Sequence, residues 1–283
     1  EGLVNNAVIE EVILQECNIS TDRARLLKVV LEENTTIIKL RLAQNPMEYG
    51  GIELSKGLQV NKTLVDLQLG FCGFNSEVGC ALFGSLRFHP TLVHLNLASN
   101  QLDDDISLAL GQFLEKNQAL QSLGLEGNKL GPEAAAAVAT GLETNTKLRM
   151  LTLGWNHIEN KGAISLGLSL PKMKGLESLC VVGNDLKEEG FKDLVRGLEQ
   201  NHQLTRLSLG AIASKGRNGD VPDAYYTAAR FYERRNKVAW QILEDEDAMP
   251  PALWAHFLYR LRNDADMRFF FLKERPVLFK EIP

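Results

Sequence analysis

From Leu92 onward the apolar residues keep a fixed register. Leu120, Leu123 and Leu125 are followed by Asn128 and Leu130, and the same five slots hold Leu92, Leu95, Leu97, Asn100 and Leu102 one period earlier. They return as Leu148, Leu151, Leu153, Asn156 and Ile158, and again as Leu176, Leu179, Val181, Asn184 and Leu186. Looser copies begin at Ile9, Ile37, Leu64 and Leu204, giving eight copies spaced by 28, 27 and then always 28 residues. Units of this length cannot bury an apolar face alone and do so by stacking, so the period predicts a solenoid. Inside each unit the first half alternates with period two: a short strand whose leucines point inward and whose intervening residues point outward. Such strands pair in parallel, and each needs a crossover to reach the next.

The second half supplies the crossover. Leu31, Leu58, Leu86, Leu114, Leu142, Leu170 and Leu198 recur in one slot, preceded by apolar residues at helical spacing such as Val138 and Leu194. Asn34, Asn61, Asn117, Asn145 and Asn201 follow three residues later, where the expectation is a helix end in the left-handed conformation. The other recurring Asn, replaced by Cys17 and Cys72 in two copies, lies where the chain leaves the strand. Its amide is expected to satisfy backbone groups that the turn buries. The predicted fold class is α/β, a horseshoe-shaped solenoid over residues 1–212 with an inner parallel sheet and outer helices.

The phrase L-x-x-L-x-L-x-x-N-x-L-x-x-x-G, followed by a helix ending L-x-x-N, resembles the ribonuclease-inhibitor-like subfamily of leucine-rich repeats, in the style of NOD-like receptor arrays. The resemblance covers roughly Ile9 to Ile212. It implies a protein-binding surface without naming the partner, since such repeats serve inhibitors, immune sensors, GTPase activators and scaffolds. Two alternatives follow from it: a GTPase-activating protein of the Ran-activator type, and a sensor fragment of a NOD-like receptor type protein. Ran-type activators carry an acidic tail after the repeats, whereas the acidic run here is only Glu244 to Asp247.

Beyond Ile212 the period stops. Ser214 to Gly219 reads as a loop, and Pro222-Asp223 opens a helix expected to run to about Leu243. Pro250-Pro251 begins a second helix carrying Trp254, Phe257 and Leu261, and Met267 to Lys273 is a third candidate. The last strand of a solenoid exposes an unpaired edge and an uncovered core. Residues 213–283 are therefore expected to form an α-helical C-terminal cap, with a small helical module for a partner as the alternative.

Composition narrows the function classes. The chain has 283 residues, 45% of them hydrophobic, and a formal net charge of −5. Residues 1–212 hold 19 basic and 25 acidic side chains, so no basic face is available for nucleic acid or anionic membrane. No apolar run approaches the ~18 residues of a membrane span. The five histidines share no metal-ligand spacing, and no cofactor motif occurs. His94 and Cys180 lie three repeats apart, about 14 Å at ~4.8 Å per strand, too far for a nucleophile and its base. The reading is not an enzyme and without cofactor or metal.

All four cysteines fall inside the repeats without a terminal cluster, and are expected to be free, mostly buried thiols in a cytoplasmic setting. Two of the three glycosylation sequons, at Asn34 and Asn61, use the helix-ending Asn and are discounted.

What remains is surface. The outward strand positions are mixed in charge, with small residues toward the middle. Phe71 and Trp155 share one slot just before the Asn position, and aromatics at a rim suit anchors for a protein partner. The candidate partner-binding residues are Arg41, Gln68, Phe71, His94, Asn96, Met150, Thr152, Trp155 and Arg206, on a protein expected to be a monomer that binds an unidentified protein.

Overall fold

A computed structural model describes residues 2–210 and 221–243. Among the described residues, β-strands and α-helices alternate through eight units. The first four are β1 (Glu11–Ile13), α1 (Thr21–Glu33), β2 (Lys39–Arg41), α2 (Gly50–Val60), β3 (Asp66–Gln68), α3 (Ser76–Leu86), β4 (His94–Asn96) and α4 (Ser107–Lys116). The next four are β5 (Ser122–Gly124), α5 (Pro132–Thr144), β6 (Met150–Thr152), α6 (Glu159–Ser169), β7 (Ser178–Cys180), α7 (Glu188–Gln200), β8 (Arg206–Ser208) and α8 (Asp223–Leu243). The strands form one parallel sheet in sequence order, each displaced by one repeat from its neighbour. The even 28-residue spacing, and the 27-residue step between Ile37 and Leu64, both become straight register: Leu40 pairs with Leu67 as Leu95 pairs with Leu123. The expected α/β solenoid is the fold. The expected loop at Ser214–Gly219, the acidic run at Glu244–Asp247 and the two later helices lie outside the described residues.

Between sheet and helices runs one continuous apolar core. The central strand residues, Val12 through Leu207, are all buried, as are the recurring helix leucines from Leu31 to Leu198. Alignment is what makes them add: identical slots stack, so each leucine meets its counterpart above and below, and every repeat buries apolar area against two neighbours. Some helices approach closely enough to touch through backbone. A Cβ on Gly57 or Gly141 would stand 2.9 Å from a carbonyl oxygen of the preceding helix, Lys28 or Gly111, and one on Gly197 would collide with that of Gly167.

Two asparagine ladders join the repeats. In the first, Asn45, Asn100, Asn128, Asn156 and Asn184 are buried at the strand exits. Asn128 Nδ2 donates to Leu97 O in the preceding repeat and to Leu125 O in its own, both at 3.0 Å, while its Oδ1 accepts from Leu102 N at 3.1 Å. Asn156 repeats the set with Leu125 O, Leu153 O and Leu130 N. At Cys72 a thiol takes the donor's place, reaching Leu42 O at 3.4 Å.

The second ladder corrects one expectation. Asn34, Asn61, Asn117, Asn145 and Asn201 do not end their helices in left-handed geometry, since their φ lies between −62° and −94° with ψ near 130°. The extended backbone turns the amide back toward the previous repeat, where Asn117 Nδ2 donates to Leu86 O at 2.9 Å and Asn61 Nδ2 to Leu31 O at 2.9 Å. Each Oδ1 closes the following turn, as Asn117 does with Ala119 N and Leu120 N. The register reaches one step further back than the strand pattern. Leu3 and Asn6 hold the slots of Leu31 and Asn34, Asn34 Nδ2 donates to Leu3 O and Asn6 O, and Asn6 Oδ1 accepts from Val8 N and Ile9 N.

At the other end α8 lies against α7 and β8. Arg235 donates to Leu198 O and Asn201 O, the two slots that Asn201 itself addresses one repeat earlier at Leu170 and Met173. Asn236 Nδ2 donates to Leu204 O at 2.7 Å, the slot that Thr91 serves on Leu64. Glu233 accepts from Leu207 N on the edge of β8. Side chains from a single helix thus make bonds that the end of the eighth repeat and the start of a ninth would make.

The thiols are all free, but only Cys72 is buried; Cys17 is exposed, and Cys80 and Cys180 are half-buried. The expectation of mostly buried thiols is corrected, because Cys17 belongs to the first repeat and has no neighbour over it, while Cys180 faces outward from β7. Burial pushes the Cys72 thiol up to about 12.

Two predictions follow from the ladders. Asn128→Ala leaves the buried Leu102 N without its acceptor and removes one of the two amide donors from each of Leu97 O and Leu125 O, and should lower stability by ~1–3 kcal/mol, read from the denaturation midpoint. The second concerns His89, which fills the second-ladder slot between Asn61 and Asn117. Its Nδ1 accepts from Leu92 N at 3.2 Å as the Asn oxygen does, but its Nε2 is buried without a partner. Burial also lowers its pKa from 6.5 to about 4. The unfolded chain therefore binds a proton that the folded one refuses, so its contribution to stability is full above pH 6.5 and is lost as pH falls toward 4. His89→Asn should raise the thermal midpoint at neutral pH and flatten the loss of stability between pH 6.5 and 4. An unchanged acid limb would contradict this.

Candidate functional site

Three-residue strands leave a simple surface. In each, the middle residue is buried and the two flanking residues point away from the helices, so the open face carries two rows. One row runs Glu11, Lys39, Asp66, His94, Ser122, Met150, Ser178, Arg206; the other runs Ile13, Arg41, Gln68, Asn96, Gly124, Thr152, Cys180, Ser208. Residues adjacent in a row stand one strand spacing apart, ~4.8 Å.

The middle of this face is hollow. Ser122 and Gly124 on β5 are the smallest pair in the two rows, and they form the floor of an open groove of about 410 Å³. Asp66, Gln68, His94 and Asn96 line one side, and Met150 and Thr152 the other. Glu126 closes it at the strand exits. Its carboxylate accepts from Thr152 Oγ1, and a Cβ at Gly124 would press on it at 3.3 Å and on Asn96 Oδ1 at 3.2 Å. The groove exists because position 124 has no side chain. Asp66 accepts from Gln68 Nε2 at 2.5 Å.

Beside the groove runs the rim. In each of the first seven repeats the residue before the ladder Asn or Cys has positive φ: Glu16, Gln44, Phe71, Ser99, Gly127, Trp155 and Gly183, between 54° and 70°. The left-handed geometry expected at helix ends therefore belongs here, where the chain leaves the strand. This geometry costs a non-glycine L residue roughly 1–2 kcal/mol, yet Phe71 and Trp155 occupy it and remain 60% and 69% exposed. Trp155 rests on the next repeat, its indole filling the space where Gly183 lacks a Cβ. Large aromatics held in strained backbone and left in water burden stability without adding to the core, and such strain collects at binding sites.

Of the nine residues expected to bind a partner, the structure brings Gln68, His94, Asn96, Met150 and Thr152 into one groove. Phe71 and Trp155 stand on its rim, three strands apart. Arg41 lies one strand outside, its Nε donating to Glu11 Oε1 at 2.8 Å and holding that carboxyl below its usual range. Arg206 sits exposed on β8, two strands past the groove. Glu126 was not among the expected residues. Its signal was available: the slot after the second strand leucine is Gln15, Ala43, Gly70, Ala98, Gly154, Val182 or Gly210 in the other repeats and acidic only at 126. Among the described residues no three His, Cys, Asp or Glu side chains stand together as a metal site, and no helix is long and apolar enough to cross a membrane.

The leucine-rich repeat family model matches residues 88–111 and 144–167. No curated protein matches the chain. Among solved structures, the actin-binding site 2 of leiomodin-1 superposes with a TM-score of 0.50 at 18% identity, covering 59% of this chain and 95% of that one. The C-terminal domain of a tropomodulin from Caenorhabditis elegans superposes with a TM-score of 0.42 at 14% identity, covering 68% of this chain and 97% of that one.

Proposed function

We propose that this leucine-rich repeat solenoid binds a protein partner on the open face of its sheet, with the groove over β5 and the rim aromatics Phe71 and Trp155 at the centre of contact. The observation that carries the reading is the pair of large aromatics kept in left-handed backbone and exposed to water. The other repeats fill this left-handed slot with Glu16, Gln44, Ser99, Gly127 and Gly183, so what sets Phe71 and Trp155 apart is a large aromatic side chain kept there in water. Aromatic side chains at such a rim supply the anchors that dominate protein interfaces. Arg41, Arg206 and the polar groove residues would then surround the anchors. The leiomodin-1 domain is an actin-binding site; that likeness is one of fold, and it makes actin the first protein to assay.

Three further readings go with it. A full helix in every 28-residue unit is the style of the ribonuclease-inhibitor-like subfamily. Free thiols, and two sequon asparagines whose amides are buried in the second ladder, favour a cytoplasmic protein, which we take to act as a monomer. The α8 segment, and with it residues 213–283, acts as a C-terminal cap: the double variant Arg235→Ala, Asn236→Ala should expose the carbonyls of Leu198, Asn201 and Leu204 and lower the thermal midpoint by several degrees. A midpoint unchanged from the parent would remove that role.

The test of the binding face separates function from stability. Phe71→Gly and Trp155→Gly relieve the strained backbone, so each should leave the thermal midpoint unchanged or raised. In crosslinking and affinity capture with the full chain, actin included as a purified probe, both should lose the partner that the parent retains. Partners captured equally by parent and variants would refute this face as the binding site.

A further inference from the structure

Resting on the open-face reading, a more specific partner chemistry can be derived from the groove. We infer that it takes a basic side chain, arginine or lysine, from an extended segment of the partner, flanked on that segment by two apolar residues. Two carboxylates carry the charge argument. Asp66 and Glu126 stand at opposite ends of the groove, and each is bonded to a neutral neighbour, Gln68 or Thr152. Neither forms an ion pair among the described residues: Lys39, the neighbour of Asp66 in its strand row, lies outside the groove lining and makes no ion pair with it, and Arg41 in the other row is bonded to Glu11. The Thr152 bond fixes the Glu126 carboxylate while leaving its second oxygen for a donor from outside. A guanidinium or ammonium entering over Gly124 would find two anions and no competing cation in the lining. A nucleic acid or acidic peptide would meet them as repulsion.

The rim supplies the spacing. Phe71 and Trp155 are three strands apart, about 14 Å at ~4.8 Å per strand, with the small residues Ser99 and Gly127 between them. An extended segment crossing the strands advances ~3.3 Å per residue and presents alternate side chains to the same side. Four residue steps, a segment of five residues, therefore span the two aromatics, and the side chain midway falls on the groove side, beside Glu126. The segment that fits reads apolar-x-basic-x-apolar, its end residues on Phe71 and Trp155 and its basic residue between Asp66 and Glu126.

The experiment is selection of displayed random dodecapeptides on the immobilised full chain, followed by titration of the recovered peptides, synthesised singly, against the parent, Asp66→Asn, Glu126→Gln and Trp155→Gly. The expected result is enrichment of Arg or Lys flanked at two-residue spacing by apolar residues, with affinity at least tenfold weaker for Glu126→Gln and for Asp66→Asn and a marked loss on raising salt. Recovered peptides without a basic residue that still depend on Trp155 would overturn the basic class and leave the open-face reading standing. Peptides indifferent to all three variants would overturn both. A selection that enriches nothing would overturn the extended-segment mode, while the capture experiment with Phe71→Gly and Trp155→Gly decides the face separately.

Discussion

Each repeat leaves its strand through a turn that buries backbone N–H and C=O groups where water cannot reach them, and the solenoid depends on how those groups are answered. A side-chain amide has both a donor and an acceptor, and at Asn128 it answers two carbonyls and one N–H at once. Because one carbonyl belongs to the preceding repeat and the other to its own, every rung is also a bond between units. The second ladder does the same at the helix ends with different backbone geometry. Leucine stacking supplies the larger area term, but it is nondirectional; the ladders set the rotation and rise with which one unit follows another.

The two ends of the stack solve the same problem differently. Toward the N-terminus the register continues through Leu3 and Asn6, so Asn34 finds its carbonyls in the usual slots. At the C-terminal end Arg235, Asn236 and Glu233 reach the same kinds of carbonyls and strand N–H from a helix of another register. A charged or amide tip on a flexible stem can satisfy a repeat's exposed groups without reproducing its backbone.

Most of the fold was legible because the strand leucines, the helix leucines and both asparagines repeat at one interval. The misread features are those in which residue identity does not determine geometry. Asn201 and Asn156 are the same residue with different turns around them, and left-handed backbone belongs to the slot before Asn156 rather than to Asn201. The outward strand rows were legible from alternation, and so were Phe71 and Trp155. The groove was not, because it is made by what Gly124 and Ser122 lack and by Glu126, which lies past the strand where alternation no longer assigns a direction. Helix-to-helix contact through Gly57, Gly141 and Gly197 was equally hidden, since an apolar count treats glycine as an interruption.

Those helical glycines bear on the mechanics of the stack. Where Gly197 lies against the Gly167 carbonyl, the outer layer has no side-chain cushion left to compress, and the spacing of α6 and α7 is fixed by peptide groups in van der Waals contact. On the inner side strand spacing is equally fixed by hydrogen bonds. A spring whose coils already touch along one side resists further closure on that side and yields more readily to opening. Load applied along the axis should therefore open this segment at its helix side more readily than compress it, and the open face of the sheet is a template of set pitch rather than a pliable sling.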